Sequence, residues 1–561
     1  MPKTTALSKL FSDHWNAWMR WDPIFATMCG DHRFDDLLPS ADESHYADWL
    51  TQLEEFRSRL DKIDRTGLQA DDRLNYDTFA RMLSSEMGEL RYHAYRLPIS
   101  KTGGFHTFLP DLHVLMPFEQ VKDYENYLAR LEAIRHYFDE SIELMRLGLE
   151  TGFIPPRVTL EGADTSIEAQ MVRDPAQSVF FEPFKKFAAS ISGVNQERLI
   201  ESAREVVMGS VVPAYEALLK FIREEYAPAS RESIASAELP DGRDFYRHRI
   251  LYYTTLDLPP EEIHATGQSE VRRIRTEMVE TINKTGFSGD FKSFLEFLRT
   301  DTRFYAETPE GLLKETAYII KRIEGELPRL FKTVPRLPYG IRPVPDFSAP
   351  GQTTAYYMPG TGDGTKAGFY YINTYDLKSR PLYEMEALSL HEAVPGHHLQ
   401  IALQQELHDL PDFRRFYWFT SFIEGWALYA ERLGLEMGFY TDPYSDFGRL
   451  SYEMWRACRL VVDTGMHALG WSRQQAIDFM AANTSSTLLN ISNEVDRYIA
   501  WPGQALAYKM GELKIRELRA RAEEQLGTKF NVRDFHDVIL LGGALPLDVL
   551  EARVEEWLEK N

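Results

Sequence analysis

Trp49, Leu50, Leu53, Phe56 and Leu60 recur at three- and four-residue intervals in the segment 46–60, with charged side chains falling between them. That is one apolar stripe on an amphipathic helix. The same periodicity predicts helices at about 72–92, 118–149, 195–226, 259–284 and 309–330, each packing its stripe against a neighbour. It fails between Val334 and Pro350, where five prolines exclude a continuous helix. Beyond that stretch, residues 353–359 and 367–375 carry aromatic and β-branched side chains around the turn sequence at Gly360–Gly364. They predict a small antiparallel β-sheet. Helical periodicity returns at about Pro381 and runs on, broken near Pro443, Pro502 and Pro546. The expected fold is mainly α, with a seam dividing a helical region at 1–333 from a second region at 334–561 that holds the sheet and the chemistry.

Composition narrows the function. Across 561 residues, a hydrophobic share of 44% and an aromatic share of 13% can bury a large core. Length alone suggests roughly three or four domains, and the continuous helical patterning favours one integrated body instead. With 63 Lys and Arg against 85 Asp and Glu, the net charge is −22, which argues against nucleic acid and against anionic membrane surfaces as partners. The two cysteines, Cys29 and Cys458, sit in apolar helical contexts, so no disulfide framework is expected. The first residues run into Asp13-His14-Trp15 without an apolar signal core, and no stretch of about eighteen apolar residues occurs. A soluble cytoplasmic protein is the expectation.

One segment concentrates reactive side chains: His391, Glu392, His397 and His398, with Pro395-Gly396 between them. Zinc takes imidazole nitrogen and carboxylate oxygen, and a catalytic site leaves one position for water. His391 followed at once by Glu392 opens like the metalloprotease helix motif, in which two histidines one turn apart hold zinc and the glutamate is the general base. The second histidine is displaced, since Pro395 stands four residues after His391. On an ideal helix His398 returns to nearly the face of His391 but roughly 10 Å along the axis. A bulge at Pro395-Gly396 instead carries His397 toward the ligand position. Both remain candidates, with His397 favoured. Glu424, 33 residues after His391, offers a carboxylate from a returning helix, and Glu431 shares its face as support or salt-bridge partner.

His391–Gln400, Glu424–Glu431, Val461–His467, Arg497–Lys509 and Phe535–Asp537 together resemble the bacterial domain-of-unknown-function 885 family, over nearly the whole chain and most strongly between about 350 and 555. Its members are regarded as zinc metallopeptidases, similar to the helical zinc peptidases typified by thimet oligopeptidase, Taq carboxypeptidase and angiotensin-converting enzyme. The resemblance implies a helical body split by a deep cleft, a zincin-like active-site helix on its floor and the short sheet at its edge. It also implies zinc as cofactor, Glu424 as third ligand and peptide as substrate. Many members carry an export or lipoprotein signal, which this N-terminus is read as lacking.

In that reading zinc activates water, Glu392 accepts its proton, and His467, Arg497, Tyr498 and Tyr508 are the candidate donors to the developing oxyanion. The strand at 368–374, with Tyr371 and Asn373, is the candidate edge for pairing an extended peptide. Two alternatives stay open: a non-catalytic helical binding protein with a structural metal, and a zinc hydrolase of an ester or non-peptide amide. No Gly-x-Ser-x-Gly elbow and no full phosphate-binding loop occurs.

Overall fold

The apolar stripes become helices in the computed structural model, which describes residues 5–346 and 349–561. Met1–Thr4, part of the N-terminal reading, and Phe347 and Ser348, in the proline-rich stretch, lie outside the described residues. Helices span Glu43–Asp61, Ala70–Arg91, Val121–Thr151 (α1), Pro260–Thr285 (α2) and Pro309–Leu330, close to the predicted limits. The stripe at 195–226 is divided into Gly193–Val206 and Val212–Phe221 by wider π turns at Val207–Val211 and Ile222–Tyr226. Each π turn ends two residues before a proline, Pro213 or Pro228. The missing proline N–H leaves a carbonyl that the wider register can satisfy.

The chain forms two compact units. One comprises Met1–Asp64, Glu86–Ser233 and Thr361–Thr365; the other comprises Arg65–Ser85, Ile234–Gly360 and Lys366–Asn561. The main division thus falls at 233–234, and the proline-rich stretch expected as the seam lies inside the second unit.

In the first unit α1 supplies the spine. Tyr124, Tyr127, Leu131, Ile134, Phe138, Ile142 and Met145 form its buried face, packed with Leu199, Ala203, Tyr215 and Leu218. Each large apolar side chain so buried contributes roughly 1.5–3 kcal/mol. Gly152, left-handed at φ 74°, ends the helix.

The second unit is built on two long helix pairs. Pro443–Ala468 (α6) packs along α2, and Ala507–Leu526 (α8) packs along Thr420–Met437 (α5). A Cβ at Gly425 or Gly511 would overlap the facing backbone, so the α5–α8 approach requires glycine on both sides. Every residue of α6 from Phe447 to His467 is buried, including Arg449, Glu453, Arg456, Arg459, Asp463 and His467, which recur at helical spacing as one polar stripe. Buried charges at such spacing demand partners on the neighbouring helices.

The sheet has three strands: Tyr339–Pro343 (β1), Ala355–Met358 (β2) and Gly368–Ile372 (β3), in the order β1-β3-β2. β2 and β3 pair antiparallel, Tyr356 opposite Tyr371, as predicted. β1 adds in parallel, Ile341 opposite Tyr370. It comes from the proline-rich stretch, where no strand is expected, and its edge position tolerates Pro343. β3 is central, so the strand assigned above to peptide pairing has both edges occupied. Both cysteines are buried and neither is in a disulfide.

Candidate metal centre

The chemistry collects where a helix stops and restarts. Met385–Glu392 (α3) ends at Glu392, and His397–Glu406 (α4) begins after four intervening residues. The expected bulge is therefore a full break. Gly396 is required there, because a Cβ would overlap the carbonyl oxygens of His391 and Leu390. His398 N–H donates to Ala393 O at 3.0 Å, and Trp426 Nε1 on α5 donates to Pro395 O at 2.8 Å, fixing the linker from both sides. The result folds His397 back beside His391, their rings 4.7 Å apart and nearly perpendicular.

His391, His397 and Glu424 each present one ligand atom within 4.8 Å of the others. Glu424 Oε2 lies 3.6 Å from His391 Nε2 and 3.3 Å from His397 Nε2. Ligands at roughly 2.0–2.2 Å around a tetrahedral zinc stand about 3.3–3.5 Å apart, so these donors fit that ion. Burial works to raise the Glu424 carboxyl, yet the two imidazoles hold it well below the usual carboxylate range. Burial likewise opposes charge on His391, but its contacts with Glu424 and Glu431 lift it to about 9. The site draws positive charge to the point where the three side chains converge, as a divalent cation would require.

Behind the candidate ligands, Glu431 Oε1 lies 2.8 Å from His391 Nδ1, and Arg456 Nη2 lies 3.4 Å from the same oxygen. This relay orients the ring and fixes Nε2 toward Glu424. His397 Nδ1 is buried without a hydrogen-bond partner. Glu392 closes α3, and its side chain is buried with no hydrogen bond or ion pair among the described residues.

His398 is elsewhere. Its Nδ1 meets Tyr357 Oη at 2.8 Å, its ring lies 4.3 Å from that of Tyr339, and the backbone of Leu337 bonds the imidazole as well. It fastens α4 to the sheet and does not join the ligand cluster. Of the candidate donors only Tyr508 comes near: its ring lies nearly parallel to that of His391 at 6.4 Å. Burial and the nearby Glu424 carboxylate hold this phenol above its ordinary value, so it stays protonated. Tyr498 is fully buried, donating to Glu494 at 2.7 Å and accepting from Trp455 Nε1 and Arg459 Nε. Arg497 is bound to Glu494 and Gln504. His467 is bound at Nδ1 by Ser236 N and at Nε2 to Tyr498 O. All three have their polar atoms committed to structural partners. Asn373 spends its amide on the carbonyls of Ala349, Gln352 and Thr353, and Tyr371 stacks on Tyr356 at 4.9 Å.

Sequence reasoning passed over Arg456 and Tyr357. For Arg456 a signal existed: it belongs to the polar stripe of α6, in a helix otherwise apolar enough to be buried all round. Tyr357 carried none, since its partner comes through the tertiary fold.

The model of a bacterial family described as "protein of unknown function (DUF885)" matches residues 23–554. The chain belongs to the DUF885 family. A search of curated proteins returns no match. Among solved structures, a "putative lipoprotein" from Colwellia psychrerythraea superposes with a TM-score of 0.93 at 29% identity, covering 99% of this chain and 100% of its own. A "putative lipoprotein of unknown function" from Shewanella oneidensis gives 0.71 at 16% identity, covering 97% and 99%, a likeness of fold alone. The description of the Colwellia neighbour as a lipoprotein, which points to a membrane-anchored or secreted setting for that protein, overturns the expectation of a cytoplasmic protein.

Proposed function

We propose that this DUF885 chain is a zinc-dependent peptidase. The observation that carries the reading is the convergence of His391, His397 and Glu424, three ligands of a type that leaves an open coordination position, beside the unengaged carboxylate of Glu392. Bound zinc would acidify a water and polarise a carbonyl. The chain's own residues supply the rest. Glu392 accepts the proton of the attacking water and returns it to the leaving amine. Tyr508, kept protonated, donates to the oxyanion as it develops. Glu431 and Arg456 hold His391 in orientation throughout. β2, an edge strand that packs against α3, offers backbone groups to an extended peptide in place of the central β3. The lipoprotein description of the Colwellia neighbour supports peptides met outside the cytoplasm.

The test is zinc titration of the chelated protein, followed by mass spectrometry of a mixed peptide pool. One equivalent of zinc restoring cleavage is the expected result. A protein that binds no zinc, or that leaves every peptide intact at full occupancy, contradicts the proposal.

A further inference from the structure

Arg432 follows Glu431 on α5 and lines a separate pocket of about 520 Å³ between α2, α5 and α8. It is half-buried, yet no hydrogen bond or ion pair reaches its guanidinium among the described residues. The other charges of the pocket are accounted for. Glu270 is bound by Arg273 and Lys509, Glu436 and Glu523 by Arg519, and Glu517 by Lys514 and Arg521. Arg516 gives Nη1 to Glu512 at 3.0 Å, with Glu453 3.7 Å from the same nitrogen, while its Nε and Nη2 make no hydrogen bond among the described residues. Two guanidinium groups therefore turn unused N–H donors to one cavity whose carboxylates are already neutralised. Burial and the neighbouring Arg516 push Arg432 below its ordinary value, the condition a bound anion relieves.

We propose that this pocket binds a phosphate-class oxyanion, held by the fork of Arg432 and the free edge of Arg516. Guanidinium forks match oxyanions with two parallel N–H···O bonds, and two forks suit the four oxygens of a tetrahedral anion better than one carboxylate. Free phosphate and a phosphomonoester present the same group.

The test is thermal melting of the full chain in sodium phosphate, glycerol phosphate or sodium acetate, with sodium chloride holding ionic strength constant. A saturable rise in Tm with phosphate or glycerol phosphate, absent with acetate, is expected, and the tighter of the two names the source. Arg432→Gln should weaken the apparent affinity at least tenfold. Ala520→Glu, which sets a carboxylate at the exposed rim of the same pocket, should do likewise and decides the matter if the first variant does not fold. No phosphate-dependent rise in the parent protein, or an equal rise in a variant, overturns the proposal.

Discussion

Glu431 Oε1 stands 2.8 Å from His391 Nδ1, so the carboxylate one turn pair beyond Glu424 on the same helix decides which nitrogen of the imidazole remains for an ion. Glu424 meets the ring from the other side, 3.6 Å from Nε2. One helix thus carries both the candidate ligand and the group that aims its partner.

Glu431→Gln should keep the fold and weaken zinc binding by about 10–100-fold, the usual effect of losing a partner behind a metal-bound histidine. Competition against a chromophoric chelator measures it. An unchanged affinity would show that His391 is aimed by something else.

His397 and His398 are neighbours with different work. His397→Ala should abolish stoichiometric zinc. His398→Gln should retain zinc and lose stability of about 1 kcal/mol or somewhat more, the worth of its bonds to Tyr357 and Leu337. Metal analysis and urea unfolding of the two variants separate these outcomes.

Gly396→Ala places a Cβ against the carbonyl oxygens of His391 and Leu390. The break between α3 and α4 must then shift, at a cost of about 1–3 kcal/mol, and His397 moves with it. Lower unfolding midpoint together with lower zinc affinity is the expected pair of readings.

Asp463, which is not among the candidate ligands, supplies a pH dependence of its own. Burial pushes its carboxyl up to about 7, against the hydrogen bonds from Tyr246 Oη at 2.6 Å and Gly503 N that favour its charge. Unfolded, it returns to about 3.9. Between those values the folded state holds the proton and the unfolded state does not, so its contribution to stability is full below about pH 4, falls as pH rises toward 7 and is flat above. Subtracting the Asp463→Asn stability profile from that of the parent protein should reveal this decline.

The helices were legible because their stripes obey a local period, and α1 shows it directly, with Tyr124, Tyr127, Leu131, Ile134 and Phe138 all on one buried face. His391, Glu392 and Glu424 were legible for a related reason: their chemistry is specific and their spacing fits a helix pair. The choice of His397 over His398 was open, because it depends on a backbone break whose tightness only the close approach at Gly396 reveals. For Arg497, Tyr498 and His467 the sequence could not separate catalytic from structural work, because a buried network held through Glu494 and Tyr498 uses the same residue types as an oxyanion site. β1 was hidden because Pro338 and Pro343 suppress the strand signal, and only its pairing with β3 makes it one.

Zinc occupancy and peptide turnover measured on the same preparations of parent protein and Glu392→Gln test the central claim most directly. Both proteins should carry about one zinc per chain, and the variant should hydrolyse peptides about 10²–10⁴-fold more slowly, the loss expected for a general base. Undiminished hydrolysis by zinc-loaded Glu392→Gln would contradict the account.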